Sequence, residues 1–325
     1  MGLRRWASET LFPLGIGEVT IGAASSCGLQ LDDPEGEVSR EHALLKSDGG
    51  GWQLSDLNSK NGLLCDGVRI SSVILRAGQC IKIGSLMFVV ESTRLIALRA
   101  MIARLVGWAV ERRTVVDAAL QHFLGHYARA APLVMIGDGD LTLVTRKLHQ
   151  LALGPDAPFV VYRADIEASE AFRAAGLGTL CVPLRQHSDA DNIVKRLVAT
   201  DRSTWPRVVL CAGRAVNTAT AIRPLELHHE VTLPPLSLRT SELEQIVHEF
   251  AIDVIEELDA PRTVFPMREL VRPWVQDVKT FEEIDGTLRR VIAKSIWGVT
   301  AGAARLGITH ASLSKWTSKR DPRRG

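Results

Sequence analysis

Two short polar clusters hold the groups best suited to chemistry in the first third of the chain. Ser39-Arg40-Glu41-His42 and Ser55-Asp56-Leu57-Asn58-Ser59-Lys60-Asn61-Gly62 stand on either side of a glycine run, Gly49-Gly50-Gly51. Each lies where an alternating apolar segment begins or ends, so a hairpin would bring both to one end of a sheet as neighbouring loops. Small hydroxyls, an Arg, a Lys and an Asn on such a rim suit a phosphate. The cations donate charge-assisted hydrogen bonds, with hydroxyl and amide donors beside them. A second loop, Gly137-Asp138-Gly139-Asp140, follows the apolar run Leu133-Val134-Met135-Ile136 and precedes a helical pattern from about Leu141 to Leu153. Strand, glycine turn and helix is the layout of a phosphate loop. A third cluster, Thr309 to Lys315 followed by Lys319, Arg320, Arg323 and Arg324, closes the chain.

The elements that must position these groups differ along the chain. Residues 1–92 read as many short strands: Val19-Thr20-Ile21, Leu29-Gln30-Leu31, Ala43-Leu44-Leu45, Trp52-Gln53-Leu54, Val68-Arg69-Ile70, Ile81-Lys82-Ile83 and Met87-Phe88-Val89-Val90, with Asp66-Gly67 as a turn. Short strands with glycine turns predict a sandwich. From Leu95 the period becomes helical: Leu95, Leu98, Ile102, Leu105 and Val106 form one stripe, and Val115, Val116, Ala119, Leu120 and Phe123 another. Beyond Pro132, Leu133–Ile136, Phe159–Tyr162, Thr179–Val182 and Arg207–Cys211 alternate with helical segments, which predicts a small parallel α/β sheet. A helix is expected over Leu288–Ile296, where Val291, Ile292 and Ile296 offer a dimer contact. His228-His229-Glu230 reads as an exposed turn, and Glu242, Glu244, Glu249, Glu256 and Glu257 as the wet face of a helix.

The bulk numbers narrow the classes. A chain of 325 residues allows two or three domains, and 46% apolar residues supply cores for them. A net charge of +2 gives no global field favouring nucleic acid, so any basic surface is local. The cysteines Cys27, Cys65, Cys80, Cys181 and Cys211 have no paired metal spacing and read as reduced thiols. No cofactor is implied, and no catalytic nucleophile–base arrangement stands out. No leader is evident, and the apolar runs are far short of a membrane span, so a cytoplasmic location is expected.

Ile21-Gly22, Ser39-Arg40-x-His42 and Asn61-Gly62, in that order and spacing, resemble a forkhead-associated (FHA) domain over roughly residues 1–92. The resemblance implies a β-sandwich that binds phosphothreonine peptides. Ser39 and Arg40 would contact the phosphate, His42 would brace the loop, Lys60 would stand where the family often has a phosphate-reaching Thr or Ser, and Asn61 would bond the peptide backbone. The family's motif opens Gly-Arg, whereas Gly22 is followed by Ala23. Loss of that charge-assisted bond costs roughly 1.5–3 kcal/mol.

Leu105-Val106-Gly107, Leu143 to His149, Gly178-Thr179-Leu180, Arg207-Val208-Val209, Leu233-Pro234-Pro235-Leu236 and Trp274-x-x-Asp277-Val278-Lys279 resemble, in degenerate form, the AAA+ domain of NtrC-like enhancer-binding proteins. The family's phosphate-loop Lys is replaced by Leu141, and its two strand-end carboxylates by Val182 and Pro183. The string that engages sigma-54 is absent. The resemblance therefore implies a core without ATP hydrolysis and without sigma-54 activation. Ala303-Ala304-Arg305-Leu306-Gly307-Ile308 with its flanks resembles a Fis-type helix-turn-helix over roughly residues 283–320. It implies a recognition helix from about His310 to Ser318. Thr309 would cap it; His310, Ala311, Ser314 and Lys315 would meet base edges, and Thr300, Lys319, Arg320, Arg323 and Arg324 would meet phosphates.

The expectation is thus a multidomain chain: an all-β FHA sandwich (1–92), a reduced α/β AAA+-like domain with a helical lid (93–282) and an all-α helix-turn-helix (283–325). The function expected is a non-enzymatic, DNA-binding transcriptional regulator. Its partners would be a phosphothreonine-containing protein, double-stranded DNA and a second copy of itself, with no membrane. The alternative is a phospho-dependent adaptor whose C-terminal helices oligomerise.

Overall fold

The computed structural model describes residues 1–47, 50–129, 131–163, 165–184, 188–199, 205–214, 225, 228–261 and 278–320. The chain divides into two compact units, one of Met1–Ala103 with Ala109–Leu124, the other of Arg104–Trp108 with Gly125–Gly325.

Eleven strands of the first unit form two sheets. One runs in the order β2 (Leu11–Pro13), β1 (Gly2–Arg5), β11 (Leu86–Glu91), β10 (Cys80–Ile83), β7 (Leu63–Cys65), β8 (Val68–Ile70). The other runs β4 (Leu29–Gln30), β3 (Gly17–Gly22), β5 (Ala43–Ser47), β6 (Trp52–Asp56), β9 (Ser72–Ile74). All pairs are antiparallel except β3–β4. Alternation sorts the side chains: Ala43, Leu45 and Ser47 turn inward while Lys46 faces out, and Leu3, Ile21, Leu54, Leu63, Ile81, Ile83 and Phe88 complete the core. The Asp66-Gly67 turn has both central residues at positive φ (50° and 81°), the geometry of a tight hairpin between β7 and β8. The hairpin across the glycine run pairs Ser47 with Trp52, and Gly49 lies outside the described residues.

Two helices follow, α1 (Thr93–Val106) and α2 (Arg113–Arg129). The first expected stripe is buried throughout, as are Val116, Ala119, Leu120 and Phe123, but Val115 is half exposed. The sandwich is tied to α2 by charge. Arg4 on β1, 2% exposed, sends two parallel hydrogen bonds to Asp117 (2.9 and 2.7 Å) and a third bond to Glu91. Asp117, fully buried, also accepts Arg99 Nε at 3.0 Å and the Ala7 N–H at 2.8 Å.

The second unit is built on a five-stranded, wholly parallel sheet. Its order is β13 (Phe159–Val161), β14 (Thr179–Leu184), β15 (Arg207–Gly213), β12 (Leu133–Gly137), β16 (His229–Thr232). Val134, Leu180, Val182, Val208 and Leu210 pack with Ile193, Leu197 and Trp205 into one core. The edge strand β16 corrects the turn expected at His228-His229-Glu230. Val231 is its one deeply buried side chain, so its sequence carried almost no alternation. Helices α3 (Thr142–Leu153), α4 (Ala168–Ala175) and α5 (Ser188–Ala199) serve the sheet, and α6 (Leu243–Glu257) and α7 (Phe281–Arg305) pack on each other, with Phe250 stacked on Phe281 at 5.7 Å.

The acidic face expected to be merely wet is partly committed. Glu249 and Asp253 bind Arg104 at 2.9 and 2.6 Å, Glu257 binds Lys147 at 2.6 Å and also Arg289, and Glu242 accepts the Trp108 N–H at 2.7 Å. Val291 and Ile292, assigned above to a dimer contact, are buried within their own unit beside Ile284 and Leu288. Of the lid-like residues, Trp274 and Asp277 lie outside the described residues, as do Arg323 and Arg324.

Candidate functional site

The structure brings Ser39, Arg40, Lys60 and Asn61 together on one rim of the sandwich. The Ser39 Oγ accepts the Lys60 N–H at 3.0 Å, which joins the two loops directly and leaves its own O–H free to donate outward. His42, fully buried, braces them from within. Its Nδ1 accepts the Ser39 N–H at 3.0 Å, so Nε2 carries the proton and donates to the Gly62 carbonyl at 3.1 Å. Asn61 donates from Nδ2 to the Glu37 carbonyl at 2.8 Å, which holds its amide in place. Ser59 accepts the Gly62 N–H at 2.9 Å and donates to Asp56, closing the second loop on itself.

The Ser39-Arg40 loop lies against the end of β3. Its carbonyls accept the N–H groups of Ala23 and Ala24, both at 3.0 Å. A Cβ at Gly22 would stand 2.2 Å from the Arg40 carbonyl oxygen, so only glycine allows this approach. The preceding loop is gathered by Asp33, a residue that the motif reading missed. Its carboxylate accepts the N–H groups of Glu37 (2.6 Å) and Val38 (2.7 Å) and the Ser85 hydroxyl at 2.5 Å. The Ser85 bond, with those backbone donors, holds the Asp33 carboxyl below its ordinary range. Its repeated acceptor role is a local signal that sequence could offer only as an Asp-Pro turn. The side chains of Arg40 and Lys60 are exposed and make no hydrogen bond or ion pair among the described residues. The rim can therefore give an anion two free cations and a hydroxyl donor, the set that recognises a phosphate.

At the chain's far end α7 is interrupted at Gly298 (φ 73°), and its last turns meet α8 (His310–Arg320) across Gly307 (φ 66°). Thr309 caps α8, its Oγ1 accepting the Ser312 N–H at 3.1 Å. Leu313 is fully buried and Ala303 nearly so. A Cβ at Gly302 would fall 2.7 Å from the Ala293 carbonyl oxygen, so Gly302 makes the close contact, while Ala304 is exposed. His310, Ala311, Lys315 and Lys319 are exposed on α8 and Ser314 is half-buried; Arg320 ends the helix. Arg290 stacks over Trp316 at 5.5 Å, fixing the back of α8.

The loop at the end of β12 is occupied by its own unit. A Cβ at Gly139 would strike Thr280 at 2.7 Å, the Asp140 N–H points at Glu282 Oε2 at 3.3 Å, and Asp138 pairs with Arg214 at 3.0 Å. Leu141 is buried against Gly137. No set of three or more His, Cys, Asp or Glu among the described residues is placed to hold a metal, and no helix among them is long and apolar enough to cross a membrane.

Residues 7–94 match the family model described as the cytoplasmic domain of an inner membrane component of the type III secretion system. No curated protein sequence matches the chain. Among solved structures, a domain from a study of phosphothreonine-dependent FHA interactions shares 27% identity, over 28% of this chain and 94% of its own, at a TM-score of 0.26. The FHA domain of a Chlamydia trachomatis protein shares 26%, over 28% of this chain and 95% of its own, also at 0.26. Mycobacterium tuberculosis EmbR in complex with a low-affinity phosphopeptide shares 32%, over 28% of this chain and 24% of its own, again at 0.26. With its two-sheet architecture, the Ser39–Asn61 rim and the family match over residues 7–94, the N-terminal β-sandwich is consistent with an FHA domain.

Proposed function

We propose that this chain is a phosphothreonine-dependent regulator that binds DNA through its C-terminal helices and carries a catalytically silent α/β unit between the two. The observation that carries the first part is the pairing of two uncommitted cations, Arg40 and Lys60, with a Ser39 hydroxyl held in place by the Lys60 backbone. Phosphothreonine would be gripped by Ser39, Arg40 and Lys60, and the peptide backbone by Asn61. The test is fluorescence anisotropy of the full chain with a phosphothreonine peptide pool against the same peptides unphosphorylated. Binding confined to the phosphorylated pool, and lost in Ser39→Ala with Arg40→Ala, is the expected result. Equal binding of both pools would sink the reading.

DNA binding draws on the capped α8 and its exposed His310, Ala311 and Lys315, with Lys319 and Arg320 beyond them, the geometry by which a second helix enters a major groove. Thr309 would keep the helix start in register, and Ser314 would border the base-facing side. The regulator would act by repression or modulation, because no sigma-54 contact string occurs. Catalytic silence draws on Leu141 buried at the position of the family's Lys and on the occupation of the glycine loop by Thr280 and Glu282. ATP turnover above a buffer blank would overturn it.

A further inference from the structure

The rim holds one more cation, which no family motif names. Arg69 lies on β8, opposite Leu64 of β7. A side chain begun at Gly62 would meet its guanidinium at 2.6 Å (Nη2), 2.8 Å (Cζ) and 3.0 Å (Nε), so the planar group covers the bare α-carbon of Gly62. That contact exists because Gly62 sits at φ 70° and has no Cβ. The backbone of Gly62 is already engaged, its N–H by Ser59 and its carbonyl by His42, so it does not use the guanidinium's donors. Arg69 is exposed and makes no hydrogen bond or ion pair among the described residues.

The order along the second loop is therefore Lys60, Asn61, Gly62, with Arg69 over the last. Along the chain Arg40 and Lys60 precede Asn61, and Arg69 meets the residue that follows it, Gly62. Position 23, where a further guanidinium would flank the phosphate, holds a half-buried alanine. Arg69 thus adds an exposed guanidinium beside the loop that carries Asn61.

We propose, resting on the phosphothreonine reading above, that Arg69 is a specificity-determining residue: it pairs with an aspartate or glutamate of the bound peptide that flanks the phosphothreonine on the Asn61 side. A guanidinium offers a planar fork that fits a carboxylate with two parallel hydrogen bonds, and its weak hydration makes it available at an exposed site. The ligand class is an acidic phosphothreonine peptide. The charge on Arg69 contributes selectivity among phosphopeptides, while Ser39 and Arg40 set whether any phosphopeptide binds.

The test uses the full chain and one phosphothreonine peptide, with alanine at every other flanking position and a single aspartate moved along it. In the wild type, aspartate at one or two positions on one side of the phosphothreonine tightens binding about fivefold, the range of a partly exposed ion pair. In Arg69→Gln that preference disappears, while affinity for the all-alanine phosphopeptide changes less than twofold. In Arg69→Glu the preference passes to lysine at the same positions. Arg69 is exposed, so both variants fold, and circular dichroism checks this. An aspartate preference that survives Arg69→Gln, or a wild type indifferent to aspartate everywhere, overturns the role of Arg69 alone. A wild type that binds no phosphopeptide in the set overturns the phosphothreonine reading and Arg69 with it.

Discussion

Arg4 and Asp117, 113 positions apart in sequence, are joined by two parallel hydrogen bonds and are almost completely buried. The pair anchors the first strand of the sandwich to α2, in a network that includes Glu91, Arg99 and, through Arg99, Glu9. Removing one member of a buried charged set leaves the others without compensation. That costs more than the set contributes relative to an apolar replacement. Asp117→Ala is expected to destabilise the first unit by about 3 kcal/mol, read as a lower urea midpoint with an unchanged slope. A loss below about 0.5 kcal/mol would mean that water reaches Arg4 and that the network is not a closed one.

At the rim, Ser39 has two tasks, and variants separate them. Ser39→Ala removes both the acceptor for the Lys60 N–H and the outward hydroxyl. Lys60→Ala removes a charge but keeps that N–H. The expected order of loss in phosphopeptide affinity is Arg40→Ala and Ser39→Ala first, each about tenfold or more, and Lys60→Ala second, about threefold. Only Ser39→Ala should also increase amide exchange of Lys60, measured by NMR. Equal exchange in Ser39→Ala and wild type would show that the loops hold their spacing without that bond.

The rim was legible in the sequence because loop ends carry its residues and because hydroxyl, amide and cation types at fixed spacing leave few other uses. The reason for glycine at 22, its approach to the Arg40 carbonyl, appears only in the fold. What could not be read was long-range pairing. Nothing local in the sequence distinguishes Arg4 from Arg5, whose side chain is exposed. Glu249 and Glu257 carry helical spacing and charge, which predict a solvated face until the distant Arg104, Lys147 and Arg289 are placed against them. The edge strand β16 failed for the opposite reason. One buried valine among polar neighbours gives no period to detect.

The second unit buries a histidine that stays neutral. His126 is fully buried, bonded through Nδ1 to the Ala131 carbonyl, and burial pushes its pKa down from 6.5 to about 4. A depressed histidine stays neutral in the folded unit while the unfolded chain takes up a proton below about pH 6.5. Its contribution is therefore complete above pH 6.5 and is lost as the pH falls toward 4, at up to about 1.4 kcal/mol per pH unit. Urea unfolding between pH 7 and pH 4 should show this slope, and His126→Asn, which keeps a donor for Ala131, should flatten it. A ring that titrates near 6.5 by NMR in the folded chain would remove the basis for the slope.

At the C-terminus, the exposed Lys315 and Lys319 predict a salt-dependent association with duplex DNA. Each cation that neutralises a phosphate contributes about 0.9 to the slope of log affinity against log salt. Lys319→Ala is expected to lower that slope by about one and to weaken all duplexes alike. Lys315→Ala, nearer the start of α8, is expected to lose the distinction between sequences, because contacts to base edges specify while contacts to phosphates position. Thr309→Ala should act through the helix instead of the duplex. It removes the acceptor of the Ser312 N–H and costs about 1 kcal/mol of stability, and its effect on DNA should follow the loss of helicity seen by circular dichroism. Anisotropy of the full chain on pooled random duplexes, across a salt series, reads all three. A wild type without enrichment of any site, and with a slope that neither lysine changes, would leave α8 as a packing element and remove DNA from the partners of this chain.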